Sequence, residues 1–123
     1  MFKALVVDDD SGLRLSVKDT LISTGLYDVE EAFDGVNALE KFDDNSFNIV
    51  LLDVDMPRMT GLEALKQIKE KDPATIVIIM TAFANIDDAV RAVKEGAYNY
   101  ISKPVKSDEL LSMVEKAMEA HNL

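Results

Sequence analysis

The chain has no cysteine and no tryptophan. Without thiols it can form neither disulfides nor thiolate zinc sites, and a cytoplasmic setting is the simplest expectation. Five glycines and three prolines in 123 residues leave no room for a collagenous, linker-rich or low-complexity tract. Positive charge is scarce: 13 Lys and Arg stand against 23 Asp and Glu, a net charge of -10. That balance argues against direct nucleic-acid binding, which depends on clustered basic side chains neutralising phosphates. Long apolar runs are missing as well. The first one stops at Asp8, too short for a signal-peptide core or a membrane span. What remains is 48% hydrophobic and 29% charged, the composition of one globular domain over residues 1–123 with a real core.

Apolar runs alternate five times with segments of helical period, which predicts an α/β fold with a parallel sheet flanked by helices. Strands are expected over 3–7, 28–32, 48–53, 75–80 and 98–102. Helices are expected over 11–24, 37–43, 61–71, 87–95 and 107–120. Their inward faces read as Leu13, Val17 and Leu21, then Ala38, Leu39 and Phe42, then Leu62, Leu65 and Ile68, then Ala89, Val90 and Val93, then Leu110, Leu111, Val114 and Met118. Asp10 and Ser107 read as helix caps, and Gly25 and Gly96 as helix stops. The runs at 48–53 and 75–80 are almost wholly apolar, as expected of central strands covered on both faces, whereas 98–102 suits an edge. Met56, Met59, Met80, Met113 and Met118 read as core filler and His121 as an inert terminal residue.

Three of these runs end on polar oxygens: Asp8 and Asp9 after the first strand, Asp53 on the third, Thr81 after the fourth, with Lys103 after the fifth. Open α/β sheets bind ligands outside the carboxyl ends of their strands, so these side chains should converge. Gathered carboxylates repel and raise one another's pKa, and a divalent cation is the usual remedy. Magnesium takes one or two carboxylates together with phosphate oxygens and water. A carboxylate can also attack phosphorus to form an aspartyl phosphate, with a metal, a lysine and a hydroxyl neutralising the transferred group.

The set Asp8-Asp9, Asp53, Thr81-Ala82 and Lys103-Pro104 resembles the receiver domain of two-component response regulators. The resemblance spans essentially the whole chain and takes in Met56-Pro57, Gly61, Gly96-Ala97 and Tyr100. It implies a flavodoxin-like, doubly wound five-stranded sheet of order 2-1-3-4-5 with five helices, and a cis bond at Lys103-Pro104. It further implies Asp53 as phosphoacceptor, and Mg2+ or Mn2+ bound by Asp9, Asp53 and the Asp55 backbone carbonyl, with Asp8 helping through water. Thr81 and Lys103 would hold phosphoryl oxygens, and Thr81 would couple to Tyr100 to switch the face formed by the fourth helix, fifth strand and fifth helix. Asp55 and Phe83, two residues beyond Asp53 and Thr81, occupy positions that border the path of attacking water and are expected to set the phosphoryl lifetime.

The same resemblance implies a histidine kinase or histidine phosphotransfer protein as donor, an output domain or effector as recipient, and allows a phosphorylation-dependent homodimer. Such a domain catalyses only its own phosphorylation and dephosphorylation. The stretches Met80-Thr81-Ala82-Phe83 and Gly96-Ala97-Tyr98-Asn99-Tyr100 are similar to receivers of the nitrogen-regulator type, which precede an ATPase and a DNA-binding domain. The chain is thus expected to be either a stand-alone regulator or a receiver from a longer transcription regulator. Two rival readings stand beside this one. Asp53-Val54-Asp55 superficially resembles the nucleophile and acid pair of haloacid dehalogenase-type phosphatases, and a flavodoxin-like fold can also serve as a non-phosphorylated binding module.

Overall fold

The computed structural model of the chain describes residues 1–55, 61–82 and 86–121. Met56, Pro57, Met59, Phe83 and the His121 side chain, all singled out in the sequence, lie outside the described residues. Five strands, β1 (Phe2–Val7), β2 (Tyr27–Ala32), β3 (Ile49–Asp53), β4 (Ile76–Thr81) and β5 (Asn99–Ser102), pair in parallel in the order β2-β1-β3-β4-β5. Between and after them run α1 (Ser11–Ile22), α2 (Gly35–Asp44), α3 (Gly61–Lys71), α4 (Ile86–Lys94) and α5 (Ser107–His121). The flavodoxin-like architecture and strand order expected from the sequence are therefore present.

Two-residue alternation along each strand splits the core into two layers. Leu5, Val7, Val50, Leu52, Val77 and Ile79 face α2, α3 and α4, where Ala38, Phe42, Leu65, Ile68, Ala89 and Ala92 meet them. Ala4, Val6, Ile49, Leu51, Ile78 and Met80 face α1 and α5, packing on Val17, Leu21, Leu110, Val114 and Met118. Every residue of β3 and β4 is buried, which explains their nearly unbroken apolar sequences. The edge strands β2 and β5 keep partly exposed positions. Each large aliphatic side chain buried this way stabilises the fold by about 1.5–3 kcal/mol before entropy is counted.

Local chemistry moves several helix boundaries. Asp10 caps α1 as expected, its Oδ1 accepting from the amides of Gly12 at 2.9 Å and Leu13 at 3.2 Å. The helix stops at Ile22, short of residue 24, because the amides of Thr24 and Gly25 turn back to the carbonyls of Leu21 and Ile22. Gly25 then takes φ of 74°, a left-handed conformation that glycine enters without a Cβ penalty. Helix α2 starts two residues before the expected position, since the Asp34 carboxylate accepts from the Asn37 amide at 2.8 Å and caps it.

Two readings of the helices need correction. In α4 the buried residues are Ala89 and Ala92, while Val90 is 40% and Val93 36% exposed. The alanine and valine pairs form neighbouring stripes about 100° apart on the helix, and the smaller pair allows close approach to the sheet. Ser107 does not cap α5. The Lys106 carbonyl accepts from the Leu110 amide at 2.9 Å, making Ser107 the first helical residue, and its hydroxyl lies 3.2 Å from that of Thr20 on α1. In α5, Leu111 is half-buried and Ala117 joins the buried stripe. Among the described residues no helix is long and apolar enough to cross a membrane.

Candidate functional site

The carboxyl ends of the strands are held beyond the last paired residues by single backbone bonds. The Asp8 amide donates to the Ala32 carbonyl at 3.1 Å, the Val54 amide to Met80 at 3.2 Å, and the Lys103 amide to Thr81 at 2.7 Å. These bonds fix where β1, β3 and β5 release their polar residues. Gly61 fixes the approach of α3. A Cβ at that position would overlap the Asp53 carbonyl oxygen and the Val54 Cα, so only glycine lets α3 press against the end of β3. The Lys103-Pro104 peptide is cis.

Carboxylate oxygens of Asp8, Asp9 and Asp53 lie within 4.8 Å of one another. Asp8 and Asp53 are buried and Asp9 is exposed. The Lys103 ammonium reaches into the cluster, 2.9 Å from Asp8 Oδ2 and 3.3 Å from Asp53 Oδ1. Three formal negative charges against one positive leave two negative charges, which a divalent cation balances. Burial pushes the Asp8 carboxyl above the usual carboxylate range, and the Asp53 charge acts the same way, against the opposing pull of the Asp10 amide and Lys103. For Lys103, burial works to lower the pKa, but the bond to Asp8 and the charge of Asp53 outweigh it and hold the ammonium above the ordinary lysine value.

Asp53 is the most telling member. Its Oδ1 accepts from the Asp55 amide at 3.0 Å and faces Lys103, whereas its Oδ2 is buried with no hydrogen-bond partner among the described residues. A buried carboxylate oxygen without a partner is costly unless something else engages it. The donors around it are all oxygens, one of them on an exposed side chain. Such a set suits a hard cation of the Mg2+ or Mn2+ type, and Asp8, Asp9 and Asp53 can hold one.

The other expected residues sit as follows. Thr81 is buried next to Met80, the register partner of Asp53, and its hydroxyl donates to the Ala82 carbonyl at 3.1 Å. Tyr100 is half-buried on β5, paired with Ile79 and packed against the layer that holds α4. Because Ile79 pairs with Tyr100 and Thr81 with Ser102, Thr81 and Tyr100 project from the same face of the sheet. The Asp55 side chain is exposed, and Phe83 lies outside the described residues.

One residue of the site had escaped the sequence reading. Arg14 donates from Nη1 to the Asp8 carbonyl at 2.7 Å and from Nε to Glu31 Oε1 at 3.2 Å. The available signal was its place in the first turn of α1, where the helix dipole disfavours a cation unless anionic partners hold it.

The response regulator receiver domain family model matches residues 4–115. The chain is 41% identical to the chemotaxis protein CheY of Listeria monocytogenes over 117 residues, 95% of this chain and 98% of that protein. It is also 41% identical to the DNA-binding transcriptional regulator NtrC of Escherichia coli over 113 residues, 92% of this chain but 24% of that protein. The solved receiver domain of NtrX from Brucella abortus superposes with a TM-score of 0.88 at 36% identity, covering 94% of this chain and 98% of that one. These matches set aside the haloacid dehalogenase reading of Asp53-Val54-Asp55. The chain belongs to the response regulator receiver domain family.

Proposed function

We propose that Asp53 accepts a phosphoryl group from the phosphohistidine of a histidine kinase or a histidine phosphotransfer protein. The observation that carries this reading is the unpartnered, buried Oδ2 of Asp53 beside an Oδ1 already fixed by the Asp55 amide and Lys103. A carboxylate held at one oxygen presents the other in a defined direction, so much of the orientation needed for in-line attack is set before the donor arrives. An Asp53 oxygen forms the new bond to phosphorus as the bond from phosphorus to the histidine nitrogen breaks, and the imidazole leaves.

Asp9, Asp53 and the Asp55 backbone carbonyl would hold Mg2+ or Mn2+ directly, with Asp8 acting through water. When bound, the ion neutralises negative charge on the phosphoryl oxygens. Lys103 can exchange its contact with Asp53 for a phosphoryl oxygen, and Thr81 can redirect its hydroxyl from the Ala82 carbonyl to another. Hydrolysis returns the free carboxylate. The domain is thus a phosphoacceptor that catalyses its own phosphorylation and dephosphorylation, with Asp55 and Phe83 tuning the lifetime of the adduct.

The signal leaves through α4, β5 and α5. Drawing Thr81 towards the phosphoryl group vacates space on the sheet face it shares with Tyr100, and the phosphorylated chain favours a pre-existing active arrangement of that face. The exposed valines of α4 give an output domain, an effector or a second copy an apolar surface to read. The chain works in the cytoplasm as a single receiver unit. The likeness to the DNA-binding transcriptional regulator NtrC supports an output in transcription, without direct nucleic-acid contact by this acidic domain.

Acetyl phosphate and Mg2+ supply the test. Intact-mass and peptide mapping should find one phosphoryl adduct, on Asp53, absent without Mg2+ and absent in Asp53→Asn. An adduct on another residue, or none in the native chain, overturns the proposal.

A further inference from the structure

Arg14 is placed where its charge is least welcome, in the first turn of α1, and its side chain is only 17% exposed. Both edges of its guanidinium are used. Nη1 lies 2.7 Å from the Asp8 carbonyl, and Nε lies 3.2 Å from Glu31 on β2. Lys18, one turn further along α1, meets the other Glu31 oxygen at 3.5 Å, so Glu31 is clamped from two positions of one helix. The Asp8 carbonyl lies past the last paired residue of β1, since Val7 is the final partner of both Ala32 and Leu52. Strand pairing therefore does not reach this carbonyl, and among the described residues Arg14 holds it.

That carbonyl belongs to the peptide joining Asp8 to Asp9. The peptide is planar, so fixing its oxygen fixes where the Asp9 amide and Cα sit, the base from which the exposed Asp9 carboxylate is presented. The Asp8 carboxylate is already held by the Asp10 amide at 2.8 Å and by Lys103. Asp9 follows a buried neighbour whose backbone amide and carbonyl are both tied.

We propose that Arg14, braced by Glu31, is a positioning residue for the acid pair: it orients Asp9 for the divalent cation without touching the cation itself. The inference rests on the reading of the pocket as a Mg2+-dependent phosphoacceptor site. Groups that orient metal ligands are typically worth 10- to 100-fold in affinity. The planar fork also explains the choice of arginine, because a lysine ammonium cannot bridge a carbonyl and a carboxylate with two fixed edges.

The test is Mg2+ affinity, followed by NMR titration of the full chain, for the native protein and for Arg14→Met, Arg14→Lys and Glu31→Gln. Thermal melting in chelator is measured in parallel. Arg14→Met should weaken Mg2+ by about tenfold. Arg14→Lys should melt close to the native chain in chelator yet recover only part of the affinity, and Glu31→Gln should weaken binding by less than Arg14→Met. If Arg14→Met does not fold, Arg14→Lys and Glu31→Gln still decide. Native affinity in Arg14→Lys and Glu31→Gln alike overturns the bridge, leaving at most a charge effect. A native chain that binds no Mg2+ overturns this inference and the phosphoacceptor reading together, whereas native binding that survives Arg14→Met unchanged overturns this inference alone.

Discussion

At the corner between β1 and α1 the amide, the carbonyl and both carboxylate oxygens of Asp8 each face a partner, supplied by Ala32, Arg14, Asp10 and Lys103. Helix α4, on the other side of the sheet, buries Ala89 and Ala92 and leaves its two valines in solvent. Both regions flank the same strand ends, yet one is tied by directional bonds and the other rests on small apolar contacts. Elements with little buried apolar surface are the ones that shift at low free-energy cost. A charge placed between the two regions, at Asp53, should therefore leave the β1–α1 corner in place and displace α4.

The strongest challenge to the rigid side is Gly61→Ala. Its Cβ would meet backbone atoms of Asp53 and Val54 that cannot rotate away, so denaturant unfolding should show a loss of about 3 kcal/mol, the upper end of ordinary overpacking. A stability equal to the native chain would show that the end of β3 is softer than described. Lys103→Met removes the cation facing two buried carboxylates. In chelator it should destabilise by about 2 kcal/mol, less than a fully buried pair because Lys103 is 26% exposed. Mg2+ should restore much of that loss. If Mg2+ restores none of it, the cluster does not hold the ion.

A smaller effect sharpens the electrostatic account of the corner. Because burial raises the folded-state pKa of Asp8 above its unfolded value, the folded chain binds more protons between those two values. In chelator, stability should therefore fall as pH rises through that window, and Asp8→Asn should lack this component of the fall. Lys103, whose folded pKa is also raised, contributes stability that is complete below the ordinary lysine pKa and lost as pH climbs through the raised value. Identical acid-side profiles for Asp8→Asn and the native chain would contradict the burial of an ionised Asp8. The least effect is expected on the mobile side, where Val90→Ala and Val93→Ala should each change stability by less than about 0.5 kcal/mol, as surface substitutions do. A large loss from either would mean that α4 is anchored through its valines after all.

The strands were legible because alternation and unbroken apolar runs are properties of a few adjacent residues, and β3 and β4 display them without interruption. The convergence of Asp8, Asp9, Asp53 and Lys103 was legible for the same reason, since each ends a readable strand. The inward stripe of α4 was not, because a short helix with alanines and valines one residue apart offers two apolar faces, and only the space above β4 and β5 chooses between them. Arg14 was hidden by distance in sequence: its partners are the carbonyl of Asp8 and the carboxylate of Glu31, 17 residues away. Whether Ser107 caps α5 or begins it depends on one carbonyl direction at Lys106, which side-chain chemistry alone does not determine.

The division between a fixed corner and a movable helix is tested most directly by amide NMR of the full chain with Mg2+, before and after addition of beryllofluoride. Shifts should appear at Thr81, at Tyr100 and along residues 86–94, with Asp10 and Arg14 changing little, and all of them should vanish in Asp53→Asn. Shifts restricted to the neighbourhood of Asp53, with α4 and Tyr100 silent, would contradict the account.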